Sequence, residues 1–271
     1  MRGDGRKFRV LAVVDVCTRE RLALQANRHI LRLYDLHETG GPRGAWMQPL
    51  DVVTNFQEMR PDTTVAAINV LLEPDAATIA KARATNARLL EDYPAGFALD
   101  ANHAPHITIL QRFVRAAELG ELANAVAGVL RSEQAAKWEC KATGYYDLAH
   151  ENLGLLGIVI EPTQELRRLQ QKVIDAVAPF AVEKGTGAAF APRPDGGAIS
   201  QPTVEYVKNF VGPHTGTNYH PHLTVGIGTR AFLNALQVEP FEPFIIRPVS
   251  VSLYQLGDYG VAQTKLHGLH R

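Results

Sequence analysis

Two short segments of this chain share one pattern, and that pattern constrains the fold more than any other feature of the sequence. Residues 105–109 are Pro-His-Ile-Thr-Ile, and residues 221–225 are Pro-His-Leu-Thr-Val. Random placement of 10 His and 16 Pro among 271 residues would produce far fewer than one copy of Pro-His-x-Thr. Alternation of polar and apolar residues is typical of a half-buried strand. We therefore expect two similar halves, each built around one of these strands.

The polar residues of each motif strand are predicted to share one face, because residues i and i+2 of a strand point the same way. His106 and Thr108 form one such pair, and His222 and Thr224 form the other. An imidazole has an ordinary pKa of about 6.5, so it takes both protonation states near neutrality. One histidine can then remove a proton while the other donates one, and the threonine hydroxyls can donate hydrogen bonds to phosphate oxygens. This chemistry requires neither a metal nor another cofactor.

The paired motifs resemble the two His-x-Thr-x signatures of the 2H phosphoesterase superfamily, which includes 2′-5′ RNA ligase-like proteins and cyclic phosphodiesterases. The resemblance extends over about residues 62–268. It implies an α+β fold of two lobes related by a pseudo-symmetric duplication, with two mainly antiparallel sheets flanked by helices around a central cleft. It also implies that His106 and His222 are the catalytic acid–base pair and that Thr108 and Thr224 bind the phosphate. Which histidine is the base stays open.

The resemblance further implies the class of substrate and partner. Substrates of the family carry a 2′,3′-cyclic or 1″,2″-cyclic phosphate or a 2′-5′ linkage, so we expect a nucleotide or a short RNA as the partner. Hydrolysis by a metal-independent phosphodiesterase is the expected reaction. Two alternatives stay open: a 2′-5′ RNA ligase, because ligation and cleavage share a transition state, and a non-catalytic module that binds a nucleotide or an RNA end.

Four further residues are candidates for contacts with the substrate. His103 and His220 precede the motif histidines closely and are expected at the edge of the cleft. The alternative, a four-histidine zinc site, would leave the repeated threonines unexplained and has no Asp, Glu or Cys nearby to complete it. Arg112 is a candidate to hold a phosphate, with a solvated surface position as its alternative. Tyr254 is a candidate to stack on a base, with packing in the core as its alternative.

Composition excludes several other classes of protein. Lys plus Arg equals Asp plus Glu, with 28 of each, so no bulk positive charge favours duplex nucleic acid or an anionic membrane. Cys17 and Cys140 have no metal-ligand or redox spacing, which is typical of reduced thiols in a cytoplasmic protein. The apolar run at 155–160 is too short to cross a bilayer. We expect a cytoplasmic monomer without a membrane partner.

The first 60 residues differ from the rest. Residues 6–24 (RKFRVLAVVDVCTRERLAL) resemble a strand pair of insertion-sequence transposases of the retroviral-integrase class. The acidic catalytic residues of that family fall outside this stretch, so the resemblance implies no transposase activity. We expect residues 1–60 to be an N-terminal extension left by a fusion, with a genuine additional strand and helix as the alternative.

The phosphoesterase domain is then predicted at 61–271, with lobe 1 at about 61–135 and lobe 2 at about 136–271. Each lobe is predicted to contain a strand, a helix, the motif strand and a second helix. The first helix is expected from Pro74 and Asp75 to about residue 92, since proline and aspartate favour a helix N-terminus. The Gly-, Ala- and Pro-rich stretch at 183–202 predicts a long loop, either a lid or a flexible insertion.

Overall fold

The structure is a computed structural model that describes residues 65–100, 103–133 and 138–270. The proposed extension at 1–60, with its transposase-like segment at 6–24, lies outside these residues. The described part of the chain contains eight strands and five α-helices, in this order: β1 Val65–Glu73, α1 Ala76–Asp92, β2 Ile107–Arg115, α2 Leu119–Glu133, β3 Cys140–His150, β4 Leu153–Ile160, α3 Gln164–Val177, α4 Gln201–Lys208, β5 His222–Thr229, α5 Arg230–Val238, β6 Phe244–Ile246, β7 Ser250–Leu256 and β8 Ala262–His270. No helix among them is long and apolar enough to cross a membrane.

Four of the helices begin where the sequence supplies a side-chain cap. The capping oxygen accepts a hydrogen bond from a backbone N–H of the first turn, which satisfies a donor that the helix itself leaves unpaired. The caps are Asp75 for α1, Thr163 for α3, Ser200 for α4 and Thr229 for α5. The helix predicted from residue 75 to about 92 is therefore confirmed as α1.

All eight strands form one curled antiparallel sheet in the order β6-β3-β4-β5-β2-β1-β7-β8. The α+β class is confirmed. The two expected sheets are joined into one, because the motif strands β2 and β5 pair with each other through Ile107 and Leu223. This is the only residue pair between them within the described chain, so the sheet still consists of two four-stranded halves that part at its centre.

The two halves of the sheet are not consecutive in sequence. The C-terminal strands β7 and β8 join the half that contains β1 and β2, because β7 pairs with β1 along residues 250–255. The expected boundary near residue 135 therefore does not divide the sheet. Local sequence indicates that a segment is a strand, but the edge that it joins depends on packing between distant parts of the chain. The internal duplication itself stays a prediction.

The two faces of the sheet are covered differently. The main core contains buried residues of α1, α2, α3 and α5, together with Ile107 and Leu223 of the motif strands. We call this the helix side of the sheet. On the opposite side, a smaller core joins Phe113 of β2 and Val207 of α4 to Phe190.

The segment at 183–202 is a loop over most of its length, as predicted, and its middle packs against the sheet. Ala189, Phe190 and Ala191 are buried, and the Phe190 ring meets Phe113 edge to face at 5.8 Å. The backbone N–H of Ala191 donates to the carbonyl oxygen of Leu256 at 2.8 Å. The apolar residues bind the middle of this loop to the sheet, while residues 194–198 are exposed.

Buried side chains replace the missing backbone pairing where β2 and β5 part. Gln170 of α3 donates to the carbonyl oxygens of Ile109 at 3.0 Å and His214 at 3.2 Å, and accepts from the N–H of Gly216 at 3.1 Å. Asn86 of α1 has the corresponding place at β5.

The Asn86 amide donates to the carbonyl oxygens of Val225 at 2.9 Å and Phe97 at 3.0 Å. It also accepts from the N–H of Leu99 at 3.1 Å. The helix of each half therefore binds the motif strand of the other half, and this exchange holds the two halves together.

Gln170→Ala is expected to lower the free energy of unfolding by about 2–4 kcal/mol, because it leaves buried backbone groups without partners. Gln171→Ala is the matched control: the next residue of the same helix has an exposed side chain that bonds Asp175 on the surface. Its loss is expected to stay below about 0.5 kcal/mol. Urea unfolding of both variants measures the difference, and equal losses would contradict this account of the sheet centre.

Candidate functional site

The four polar side chains of the two motifs lie together on one face of the sheet. Ile107 pairs with Leu223 in antiparallel register, so the histidine of each motif strand stands opposite the threonine of the other. Ile107 and Leu223 point into the core on the helix side, and their neighbours therefore point to the opposite side. All four side chains are half-buried. Neighbouring strands are about 4.8 Å apart, which makes these four groups one cluster.

The two imidazoles are held by the same contact. His106 Nδ1 lies 2.8 Å from the carbonyl oxygen of Ala104, and His222 Nδ1 lies 2.8 Å from that of His220. A carbonyl oxygen can only accept, so Nδ1 carries the hydrogen and the neutral ring has its lone pair on Nε2. The contact leaves Nε2 of each ring as the nitrogen that can exchange a proton with a substrate.

The electrostatic environment favours neutral imidazoles at both motif histidines. Burial lowers the pKa of both His106 and His222 below the usual 6.5, although the backbone carbonyls act in the opposite sense. The charge of His222 lowers the pKa of His106 further, as expected for two rings that share one site. A bound phosphate would raise both pKa values again, because an anion stabilises an imidazolium.

Asn69 is a site residue that sequence reasoning missed. It lies in the middle of β1 and is completely buried. Its amide Nδ2 lies 3.4 Å from His106 Nε2 and 3.2 Å from Thr108 Oγ1. A signal was present in the sequence: Asn69 is the one polar residue of the run at 65–72, and Asn is depleted in strands. A buried amide needs hydrogen-bond partners, and here two of the partners are motif side chains.

Tyr146 of β3 has the corresponding place beside the second motif. Its ring meets the His222 ring edge to face at 5.1 Å. Tyr146 pairs with Gly157, and Gly157 pairs with Thr224, so Tyr146 and Thr224 lie on the same face on either side of β4. Burial raises the pKa of Tyr146 well above its usual range, so the hydroxyl keeps its proton. The ring covers Gly157 of β4, where a Cβ would come within 2.2 Å of it. Glycine at this position therefore makes room for Tyr146. The sequence alone does not indicate which of the adjacent residues Tyr145 and Tyr146 contacts the motif histidine.

Tyr254 and Arg112, both candidates from the sequence, fall on opposite faces. Tyr254 of β7 pairs with Asn69 and so faces the histidine side, where its hydroxyl donates to Glu73 at 3.0 Å. Arg112 pairs with Ile68, a residue of the core on the helix side. A bulge in β2 reverses the alternation before Arg112 and turns it away from His106. We therefore leave Arg112 out of the candidate site.

The two other histidines also differ from each other. The His103 ring stacks on Phe97 at 4.9 Å and its Nδ1 lies 3.5 Å from Asp100, and neither contact involves a motif histidine. His220 is exposed, and its carbonyl oxygen lies 2.8 Å from His222 Nδ1, so this residue lies beside the second motif histidine. Among the residues that the structure describes, no group of three or more His, Cys, Asp or Glu is arranged to hold a metal ion.

Comparison with known proteins gives a family and a set of distant structures. The model of the 2′-5′ RNA ligase superfamily matches residues 72–239, which include both motifs. None of the curated proteins matches this chain.

Three solved structures resemble it over most of its length. The MHV ns2 PDE domain is 12% identical with a TM-score of 0.38, covering 75% of this chain and 99% of that one. E. coli LigT in apo form is 11% identical with a TM-score of 0.36, covering 76% and 96%. Kluyveromyces marxianus Usb1 is 10% identical with a TM-score of 0.37, covering 77% and 98%.

The imidazoles of His106 and His222 are expected to titrate below pH 6.5 in the ligand-free protein, because burial disfavours the charged ring. NMR titration of the ring signals measures this directly. The native state then binds fewer protons than the unfolded chain, so the contribution of these groups to stability is complete above pH 6.5 and shrinks as the pH falls. A pKa at or above 6.5 for both rings would contradict the described environment.

Proposed function

Since this chain belongs to the 2′-5′ RNA ligase superfamily of 2H phosphoesterases, which includes cyclic phosphodiesterases and RNA ligases, we propose that it is a phosphodiesterase. Its proposed substrates are nucleotides or short RNAs with a 2′,3′-cyclic or 1″,2″-cyclic phosphate or a 2′-5′ linkage. The observation that carries the proposal is the register of β2 and β5, which gathers two imidazoles and two hydroxyls on one face.

The proposed reaction divides the proton transfers between the two histidines. Nε2 of one neutral imidazole removes a proton from water as the water oxygen bonds to phosphorus. The bond from phosphorus to the leaving ribose oxygen breaks, and the other histidine, protonated at Nε2, donates its proton to that oxygen. The hydroxyls of Thr108 and Thr224 donate hydrogen bonds to the non-bridging oxygens, on which negative charge increases in the transition state.

The contacts around the motifs support this division. The carbonyl oxygens of Ala104 and His220 fix both rings with Nε2 away from the backbone. Asn69 donates to the Thr108 hydroxyl beside His106, and the Tyr146 ring packs against the His222 ring. Catalysis by fixed groups depends on such positioning, because the groups then need no reorganisation when the charge develops. His220 and Tyr254 are proposed as contacts at the edge of the substrate.

A substrate panel tests the proposal: nucleoside 2′,3′-cyclic phosphates, ADP-ribose 1″,2″-cyclic phosphate and 2′-5′ oligoadenylate. His106→Ala and His222→Ala are each expected to lower kcat by about 10²–10⁴-fold, the usual contribution of a positioned acid or base. His267→Ala is the matched control, because His267 is an exposed histidine on β8 and should leave activity unchanged. Wild-type activity is expected to survive a chelator.

Three results would contradict the proposal. Full activity of either single variant would exclude the two-histidine mechanism. A strict requirement for added metal would favour the zinc alternative. Saturable binding of these nucleotides without turnover of any of them would identify the cleft as a binding module.

A further inference from the structure

One buried amide contacts both functional groups of the first motif. Asn69 lies between Ile68 and Val70, which belong to the core on the helix side, so its own side chain faces the motif histidines. It is completely shielded from solvent in the middle of β1. A polar residue in this place has a large desolvation cost, and its hydrogen bonds must compensate for that cost.

The hydrogens of the Asn69 amide account for both contacts. An amide nitrogen carries two hydrogens and can only donate. One hydrogen points to His106 Nε2 at 3.4 Å and the other to Thr108 Oγ1 at 3.2 Å. Since His106 Nδ1 already donates to the carbonyl oxygen of Ala104, Nε2 is the acceptor of a neutral ring. Thr108 Oγ1 accepts as well, which leaves the hydroxyl hydrogen available for a phosphate oxygen.

The oxygen of the same amide differs from its nitrogen. Asn69 Oδ1 is buried and, among the described residues, makes no hydrogen bond. Buried acceptors of this kind are uncommon in proteins. A half-turn of the amide would exchange the two ends and direct the oxygen at His106 Nε2, where it would repel the lone pair of a neutral ring but accept from a protonated one. The Asn69 oxygen can therefore accept a hydrogen bond from His106 only when the ring is protonated.

The second motif has a different neighbour. Within the described chain, the hydrogen bond of the His222 ring is the one from Nδ1 to the carbonyl oxygen of His220. Tyr146 meets this ring edge to face at 5.1 Å, which is a contact between rings and not a hydrogen bond to Nε2. Among the described residues, no amide donor opposes protonation of His222 Nε2 in the way that Asn69 opposes protonation of His106 Nε2. The two histidines are therefore not equivalent.

We propose that Asn69 is a positioning residue that keeps His106 neutral as the general base and leaves the role of general acid to His222. This inference rests on the proposed function and assigns a direction to it. Water displaces the Asn69 N–H from the single lone pair of His106 Nε2 and gives its proton to that nitrogen while the water oxygen bonds to phosphorus. The bond from phosphorus to the leaving oxygen breaks, and that oxygen takes the proton of His222. Rotation of the Asn69 amide then presents Oδ1 to the newly protonated His106.

The test exchanges the amide for a carboxylate of the same shape. In Asn69→Asp both oxygens can accept, and the negative charge stabilises a protonated His106. We expect NMR titration to show the pKa of His106 raised by about 1–3 pH units, with a smaller change at His222. The pH profile of kcat/KM is expected to move to higher pH with it, because a protonated His106 cannot act as the base.

Two further variants keep the test decisive. Gln111→Glu places a carboxylate at the buried position directly across from Asn69 on β2, several residues from His106, and should move the His106 titration much less. Asn69→Ala removes the amide donors without adding charge, so the expected order of His106 pKa values is Asp above Ala above wild type. If the aspartate variant does not fold, the comparison of Asn69→Ala with wild type still shows whether Asn69 lowers the pKa of His106.

An unchanged His106 titration in Asn69→Asp and Asn69→Ala would overturn the inference, and so would equal shifts in Asn69→Asp and Gln111→Glu. A shift confined to His222 would also contradict it. The titrations need no turnover, so they are informative even if the wild-type protein hydrolyses none of the substrates. Failure of the proposed function and failure of this inference are therefore distinguishable.

Discussion

The contact between Ile107 and Leu223 is the constraint on which the rest of the site depends. It joins β2 to β5 at one residue pair, immediately after each motif histidine. A shift of one residue in this register would turn the polar side chains of one motif to the helix side and bury them among the core residues. The apolar residues of both motifs therefore decide where the histidines point. Their burial in one core specifies the arrangement of the proposed catalytic groups on the other face.

Within the described chain, β2 and β5 do not pair beyond these two residues. Backbone groups that would otherwise pair between β2 and β5 are bonded by side chains: Gln170 at Ile109, Tyr219 at Thr108 and Asn86 at Val225. Buried amide and hydroxyl groups thus replace a ladder of backbone hydrogen bonds. These side chains keep β2 and β5 adjacent at one residue pair and separated elsewhere. β2 is bonded by α3 and β5 by α1, so each motif strand is bound by a helix from the other half of the chain.

Much of the fold and site follows from local sequence, and the exceptions have a common physical cause. The motif faces and the start of α1 were predictable because alternation and the cap at Asp75 act over a few residues. The bulge that turns Arg112 away, the packing of Phe190 and the pairing of β7 with β1 depend on contacts between distant segments. Asn69 is intermediate: its unusual polarity is visible in the sequence, but its partner histidine lies 37 residues away.

The central claim is that both imidazoles reach the same phosphorus atom from opposite sides. The structure of the protein with a nucleoside 2′,3′-cyclic vanadate, which mimics the five-coordinate transition state, measures this most directly. The account predicts His106 Nε2 and His222 Nε2 each within hydrogen-bond distance, about 2.6–3.2 Å, of a different apical oxygen, with the threonine hydroxyls on the equatorial oxygens. A vanadate held by one histidine alone, or bound away from the cluster, would contradict it.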